Sequence, residues 1–269
     1  KKFNKKKFNL KSDIFFFNEI NKIKKFKNNR IIKNKSFVSN KDFFTLFTSG
    51  STGVPKGVTH CMGGYFVYGK LTCKEQFGMN KNSIVLTASD AGWINGHTYA
   101  LFGPLSFGCT TVLLESPMLL TNINFLKKIL NLKITILYLP VTLIRIIKSI
   151  LKNKIIRNRY LKTIGSMGEP LAPSIGEWFE KTFLQKGKAI INTYFQTETG
   201  GIICSPKYSN KCSKNPHGSV GDTISKNVKI IKLSEKKSEI KIISPWPGMM
   251  KKIINGKKEW NKYWDSKNN

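Results

Sequence analysis

From Asp42 onward, short apolar runs alternate with stretches whose apolar positions recur at helical spacing. Phe43 to Phe47 predicts a buried strand ending at a Gly/Ser/Thr-rich turn. Val58 to Phe77 predicts a helix with two glycines inside it. Next come a predicted strand over Ser83 to Ala88, a helix over His97 to Phe107 and a strand over Thr110 to Leu114. The alternation continues with helix 122–130, strand 134–139 and helix 142–151. It closes with strand 163–166, helix 175–183 and strand 190–194. Strands alternating with helices imply parallel βαβ units and an α/β fold. After Gly201 the pattern loosens, and Val228 to Lys232 and Glu239 to Ile243 predict a β pair before a Pro/Gly-rich stretch. There is no internal repeat. Residues 1–40 have a different texture, Lys and Asn mixed with short Phe and Ile clusters, and read as a low-complexity peripheral segment. The expected organisation is therefore a Lys/Asn-rich segment, 1–40, and a structured domain, 41–269.

Composition changes this picture little. The chain has 269 residues, 40% of them hydrophobic, enough for a sizeable core. Its charge is lopsided: 46 Lys and Arg against 15 Asp and Glu give +31. A basic patch of that size would attract nucleic acid or an anionic membrane. Yet residues 1–40 hold 12 Lys and one Arg against two acids, whereas residues 45–115 hold four Lys against three acids. The excess lies outside the motif-rich stretch and reads as compositional bias, and no nucleic-acid fold signature accompanies it. Five cysteines with no C-x-x-C pair argue against a disulfide framework and a cysteine zinc site, and point to a reducing compartment. No apolar run reaches the roughly 18 residues of a membrane helix. No signal-peptide pattern opens the chain, whose first residue is Lys.

Four segments carry candidate chemistry. The sharpest is Thr48-Ser49-Gly50-Ser51-Thr52-Gly53-Val54-Pro55-Lys56-Gly57, read as following a strand and preceding a helix. Its glycines let backbone N–H groups converge on an anion, its hydroxyls add donors, and Lys56 adds a mobile positive charge. That chemistry suits a polyphosphate, although no Walker A spacing can be drawn through it. Gly165-Ser166-Met167-Gly168-Glu169-Pro170 ends a predicted strand, where α/β sheets bind ligands; alone it reads as an ordinary strand-to-helix turn. Asn192 to Gly201 offers Tyr194 and Phe195 to stack on a base, and Glu198 to hold Mg²⁺. Alone it reads equally as a polar turn with the two aromatics in the core. Ser89 to His97 also follows a strand; His97 reads as a satisfied structural histidine, and His60 and His217 offer less.

Together, and in this order, these segments resemble the adenylate-forming ligase superfamily, and its acetyl-coenzyme A synthetase branch in particular. The resemblance covers roughly residues 42–264. It rests on TSGSTGVPKGV, GWINGHTYALFGPL, GSMGEPL, YFQTETGG and SPWPGMMKKIING. The fold it implies is the large N-terminal domain of such ligases, with parallel βαβ sheets and helices on both faces. On this resemblance 41–269 is a partial AMP-binding domain. The implied reaction joins a carboxylate to coenzyme A at the expense of ATP, through an acyl-adenylate, with Mg²⁺. Thr48, Lys56 and Glu198 are the implied catalytic residues. Thr48, Ser49, Gly50, Ser51, Thr52, Gly53 and Lys56 would embrace the phosphates. Gly168, Glu169, Pro170, Asn192, Thr193, Tyr194, Phe195, Gln196 and Thr197 would line the adenine site, and Glu198 would hold the metal.

Ile94, Asn95, Met167 and Phe195 fall at the acyl pocket, and Asn95 also where coenzyme A is met. Acetate-activating members carry Val, Thr, Val and Trp at those four positions. Phe195 opens space relative to Trp, while Ile94 and Met167 close it; acetate is the expected substrate, with propionate next. Asn192 replaces a family Asp. Family members also continue into a Tyr-x-Ser-Gly-Asp segment and a small C-terminal domain bearing the adenylation lysine, and they begin with an Arg-rich coenzyme A contact. None of these is in this chain, so a piece of a working ligase and a degenerate copy that at most binds nucleotide are both expected readings. The resemblance further implies small-molecule partners only, with no specific nucleic acid and no membrane span, and a cytoplasmic or also nuclear location.

Overall fold

The computed structural model describes residues 36–48, 55–185, 190–206, 208, 217–235, 237–254, 260–261 and 263–264. Ser49 to Gly53, expected to embrace phosphates, and the Lys/Asn-rich run 1–35 lie outside them. All that follows from Val38 on belongs to one compact unit, Val38–Asn269.

The centre is a five-stranded parallel sheet in the order β4-β3-β5-β6-β7. Its strands are β3 (Ile84–Thr87), β4 (Thr110–Val112), β5 (Ile136–Pro140), β6 (Thr163–Met167) and β7 (Ile190–Asn192). Alternation along these strands divides two cores. Leu86, Leu137, Leu139, Ile164 and Ile190 face one core, filled from α2 (Ile123–Leu130), α3 (Val141–Leu151) and α4 (Pro173–Phe183) by Leu126, Leu130, Ile144, Ile147, Phe179 and Phe183. Val85, Ile136, Tyr138, Met167 and Ile191 face the other, closed by Cys73 and Phe77 of α1 (Met62–Phe77) and by Tyr99. Helices therefore cover both faces, as parallel sheets require.

The helices start and stop for local reasons. The Asn122 side chain accepts from Asn124 N at 3.0 Å and Phe125 N at 3.1 Å, capping α2. Pro173 opens α4 at the position where no N–H is needed. Gly78, at φ +64°, ends α1.

Two sequence expectations are corrected. The run 58–77 is not one helix. Its first residues belong to β2 (Lys56–Cys61), which pairs antiparallel with β1 (Asp42–Thr48) and with β10 (Lys252–Ile254). Val58 and Thr59 suit a strand, and pairing on both edges decides the matter. The Gly/Ser/Thr-rich loop thus joins two antiparallel strands rather than a strand and a helix. The helix expected at 97–107 is a π-helical segment, Gly96–Phe102, running on into Gly103–Leu105. A Cβ at Gly103 would lie 2.3 Å from Cys73 Sγ and 2.5 Å from Thr98 O, so glycine permits the close approach to α1. The expected β pair is the hairpin of β8 (Val228–Ser234) and β9 (Lys237–Ile242). Among the described residues no helix is long and apolar enough to cross a membrane.

Candidate nucleotide site

The carboxyl ends of β3, β6 and β7 open onto one edge of the parallel sheet, where this fold class places ligands. From β3 the chain passes to Ala88–Asn95, from β6 to Gly168–Pro170, and from β7 to Thr193–Thr197. Gly165 is packed so tightly that a Cβ there would meet the Tyr138 ring at 2.6 Å and the Phe77 ring at 2.9 Å. Three residues on, Gly168 has φ +87° and nothing within 4 Å of a Cβ position, leaving open space beside the backbone. A flat ring can approach there without meeting a side chain.

Polar side chains fix the ends of β6 and β7. Thr193 Oγ1 donates to Ser166 O at 2.9 Å and lies 2.5 Å from Tyr138 Oη. Ser166 Oγ donates to Asn192 Oδ1 at 2.8 Å, and Asn192 Nδ2 donates to Gly218 O at 2.7 Å. Asn192 therefore uses both halves of its amide. Asn192→Asp is expected to destabilise the protein by about 1–3 kcal/mol, because a carboxylate cannot donate to the Gly218 carbonyl. Urea denaturation measures this, and an unchanged midpoint would contradict the assignment. Tyr194 is 36% exposed, so part of its ring remains available for stacking. Glu169 forms an exposed ion pair with Arg145 at 3.4 Å, a contact that contributes little to stability.

The charged centre lies where β2 meets the short 3-10 turn Thr197–Thr199. Lys56 Nζ stands 2.8 Å from Glu198 Oε1. Tyr263 Oη donates to the same oxygen at 2.7 Å, receives a hydrogen bond from Lys56, and its ring lies under the Lys56 ammonium at 4.7 Å. Burial pushes the Glu198 carboxyl up, but the hydrogen bonds from Lys56 and Tyr263 outweigh it and hold it below its ordinary value. Burial likewise works against the Lys56 ammonium, and Glu198 overrides it, leaving its pKa raised. Both groups are charged at neutral pH. A cavity of about 60 Å³ opens beside Glu198, with Gln196, Thr199, Met249 and Tyr263 also in its wall.

The turn that presents Glu198 is held on several sides. Met250 N donates to Glu198 O at 2.8 Å, and Lys251 N to Thr59 O at 2.7 Å. His60, fully buried, places Nε2 2.8 Å from Thr197 O. Burial pushes the His60 imidazole pKa down, so the ring is neutral.

The four residues expected at the acyl pocket divide. Met167 and Phe195 pack in the core that includes Tyr99. Ile94 and Asn95 are buried where the π-helical segment begins. Neither polar atom of the Asn95 amide has a partner among the described residues. An amide buried in that state is costly unless a ligand completes it. Thr48 Oγ1, at the end of β1, is also buried without a partner among the described residues. His97 is structural: it lies 2.8 Å from Ala91 O and stacks on Phe44. Tyr263, Met250 and the contact made by His60 escaped sequence reasoning, since each depends on pairing between remote segments.

A parallel sheet with polar loops gathered at its carboxyl edge, and a lysine–glutamate pair whose lysine follows a Gly/Ser/Thr-rich run in sequence, make this a candidate nucleotide-binding domain. The chain belongs to the AMP-binding enzyme family, whose model matches residues 9–243. It is similar to the acetyl-coenzyme A synthetase of Aeromonas salmonicida (strain A449), 39% identical over 166 residues, covering 61% of this chain and 26% of that protein. It is similar to the acetyl-coenzyme A synthetase of Drosophila melanogaster, 34% identical over 232 residues, 83% of this chain and 35% of that one. Acetyl-coenzyme A synthetase 2 of Saccharomyces cerevisiae (strain ATCC 204508 / S288c) is 34% identical over 222 residues, 79% of this chain and 32% of that protein. The chain spans about a third or less of the length of these relatives.

Proposed function

We propose that this chain supplies the ATP-binding core of an acetate–coenzyme A ligase that works through an acyl-adenylate. The observation that carries the reading is the Lys56–Glu198 pair, a cation and an anion 2.8 Å apart, with Lys56 following the Gly/Ser/Thr-rich run in sequence. In the proposed reaction a carboxylate oxygen attacks the α-phosphorus of ATP. The bond to the bridging oxygen breaks and pyrophosphate leaves with the electron pair. The coenzyme A thiolate then attacks the acyl carbon, and AMP departs. Such chemistry asks the protein to position a triphosphate and neutralise its charge rather than to bond covalently to it.

In this reading Thr48, Ser49, Gly50, Ser51, Thr52, Gly53 and Lys56 bind the β and γ phosphates. Gly168, Glu169 and Pro170 line the adenine, and Asn192 to Thr197 continue that wall with Tyr194 stacked on the base. The open side of Gly168 and the part-exposed ring of Tyr194 support this. Ile94, Asn95, Met167 and Phe195 form the acyl pocket, where the unpartnered Asn95 amide is available to a polar group of substrate or coenzyme A.

Among the described residues no three metal-ligating side chains cluster, and Glu198 stands as a single carboxylate. That donor set fits Mg²⁺ shared with phosphate oxygens rather than caged by protein. When bound, the ion would offset phosphate charge; Glu198 would hold it and Lys56 would meet a phosphate oxygen.

Calorimetry with ATP and magnesium, together with acetate-dependent exchange of pyrophosphate into ATP, tests the proposal. Binding with micromolar to millimolar affinity is expected of this chain, and exchange that requires acetate is expected when the adenylation lysine is supplied with it. Binding without exchange would reduce the chain to a nucleotide-binding module. Absence of binding would refute the reading.

A further inference from the structure

Lys56 and His60 lie four residues apart on β2, so their side chains leave the same face of the strand, about 13 Å apart along it. Both reach the turn Thr197–Thr199. Lys56 meets its carboxylate, and His60 meets its backbone through Thr197 O at 2.8 Å. A carbonyl oxygen only accepts, so Nε2 carries the hydrogen and Nδ1 is bare. Nδ1 is buried and has no partner among the described residues. The backbone of Gly248 and Met249 also lies against the ring, and the bond of 2.8 Å that Nε2 makes is to Thr197 O. The ring is fixed in plane by Phe44 and Tyr65, with centroids at 5.4 Å and 5.3 Å.

We propose that His60 is the positioning residue of the Glu198 turn: its Nε2–H pins the Thr197 carbonyl and so sets the direction in which the next residue projects its carboxylate. The inference rests on the nucleotide-site reading of Glu198. Gly200 N also donates to Thr197 O at 3.2 Å, but from within the turn; the His60 bond is the one that ties this carbonyl to β2. The Met250 N–H holds the carbonyl on the far side of Glu198, and the Lys251 N–H ties that same segment back to β2 at Thr59. Without His60 the turn keeps its internal bonds, Gly200 N to Thr197 O at 3.2 Å and the Gln196–Thr199 cap, but Thr197 loses its tie to β2, and the carboxylate can shift against Lys56 and Tyr263.

The test uses the full chain and ATP as probe, titrated with and without magnesium. Two variants are compared with the wild type. His60→Phe keeps a planar ring and removes the donor, whereas His60→Gln keeps an N–H at similar reach. Thermal midpoints establish that each is folded. In the presence of magnesium, His60→Phe is expected to weaken ATP binding about tenfold, the effect of one lost hydrogen bond on the geometry of a charged group. Without magnesium, when the Glu198 carboxylate has no cation to share with the nucleotide, the same variant is expected to change binding less than about threefold. His60→Gln is expected to recover most of the loss. A purely structural role would weaken both titrations alike and would not single out the magnesium-dependent part. Equal losses with and without magnesium, wild-type affinity in His60→Phe, or a glutamine variant no better than phenylalanine would each overturn the proposal. Absence of ATP binding by the wild type overturns the nucleotide reading and this inference with it.

Discussion

Glu198→Gln is expected to weaken magnesium-dependent ATP binding by about 10²-fold or more while the protein stays folded. The substitution keeps the shape of the side chain and its ability to accept from Tyr263, but removes the charge that meets Lys56 at 2.8 Å. Losing one preorganised electrostatic partner costs about 10²–10³-fold in catalysis, and on the proposed function acetate-dependent exchange, measured with the adenylation lysine supplied, should fall by that factor. The structural cost is smaller. A half-buried lysine losing its counter-charge forfeits about 1–3 kcal/mol. Calorimetry with and without magnesium separates the two effects. Wild-type affinity in this variant would remove Glu198 from the site.

Gly200→Ala is the second large effect, and it acts on stability. Gly200 closes the turn that carries Glu198 at φ +72°, and a Cβ there would fall 1.9 Å from the Gly248 carbonyl oxygen. Left-handed backbone costs an alanine about 1–2 kcal/mol, and forcing apart two packed backbones adds about 1–3 kcal/mol. The sum, about 2–5 kcal/mol, should lower the thermal midpoint by on the order of 10 °C. It should also weaken ATP binding, because the turn and the Trp246–Met249 bend must separate. A variant with wild-type stability would show that the two glycines do not meet in solution.

The parts of the fold that were legible in the sequence share a strong local signal. Helices α2, α3 and α4 carry their buried residues at helical spacing, such as Leu126 with Leu130, and Leu143, Ile147 and Leu151. The parallel strands between them are short apolar runs bounded by polar turns. What the local pattern missed is pairing. Nothing at Val58-Thr59-His60-Cys61 breaks the run into Met62, so strand and helix read as one element. Only the neighbours β1 and β10 reveal the junction. Strand β10 has three residues in a lysine-rich stretch and exists because β2 offers it an edge.

The candidate site divides in the same way. Lys56 and Glu198 stood out because residue chemistry and motif order marked them, and the structure brings them into contact. His60 and Tyr263 carry no such mark. One is a histidine within an apolar run. The other follows a stretch of polar residues and reaches the site from about 65 positions downstream of Glu198.

The Lys56–Glu198 contact also sets how the site meets its surroundings when empty. A free polyanion that recruits the ammonium strands the carboxylate beside added negative charge. A free divalent cation that recruits the carboxylate strands the ammonium in the same way. Either visitor alone trades one ion pair for another and leaves an unmatched charge in a half-buried place. A polyphosphate that arrives already complexed to its cation satisfies both groups in one exchange. On the proposed function, the pair would therefore favour the metal-complexed nucleotide over either component, and the exchange would have to release the Tyr263 hydroxyl from Glu198.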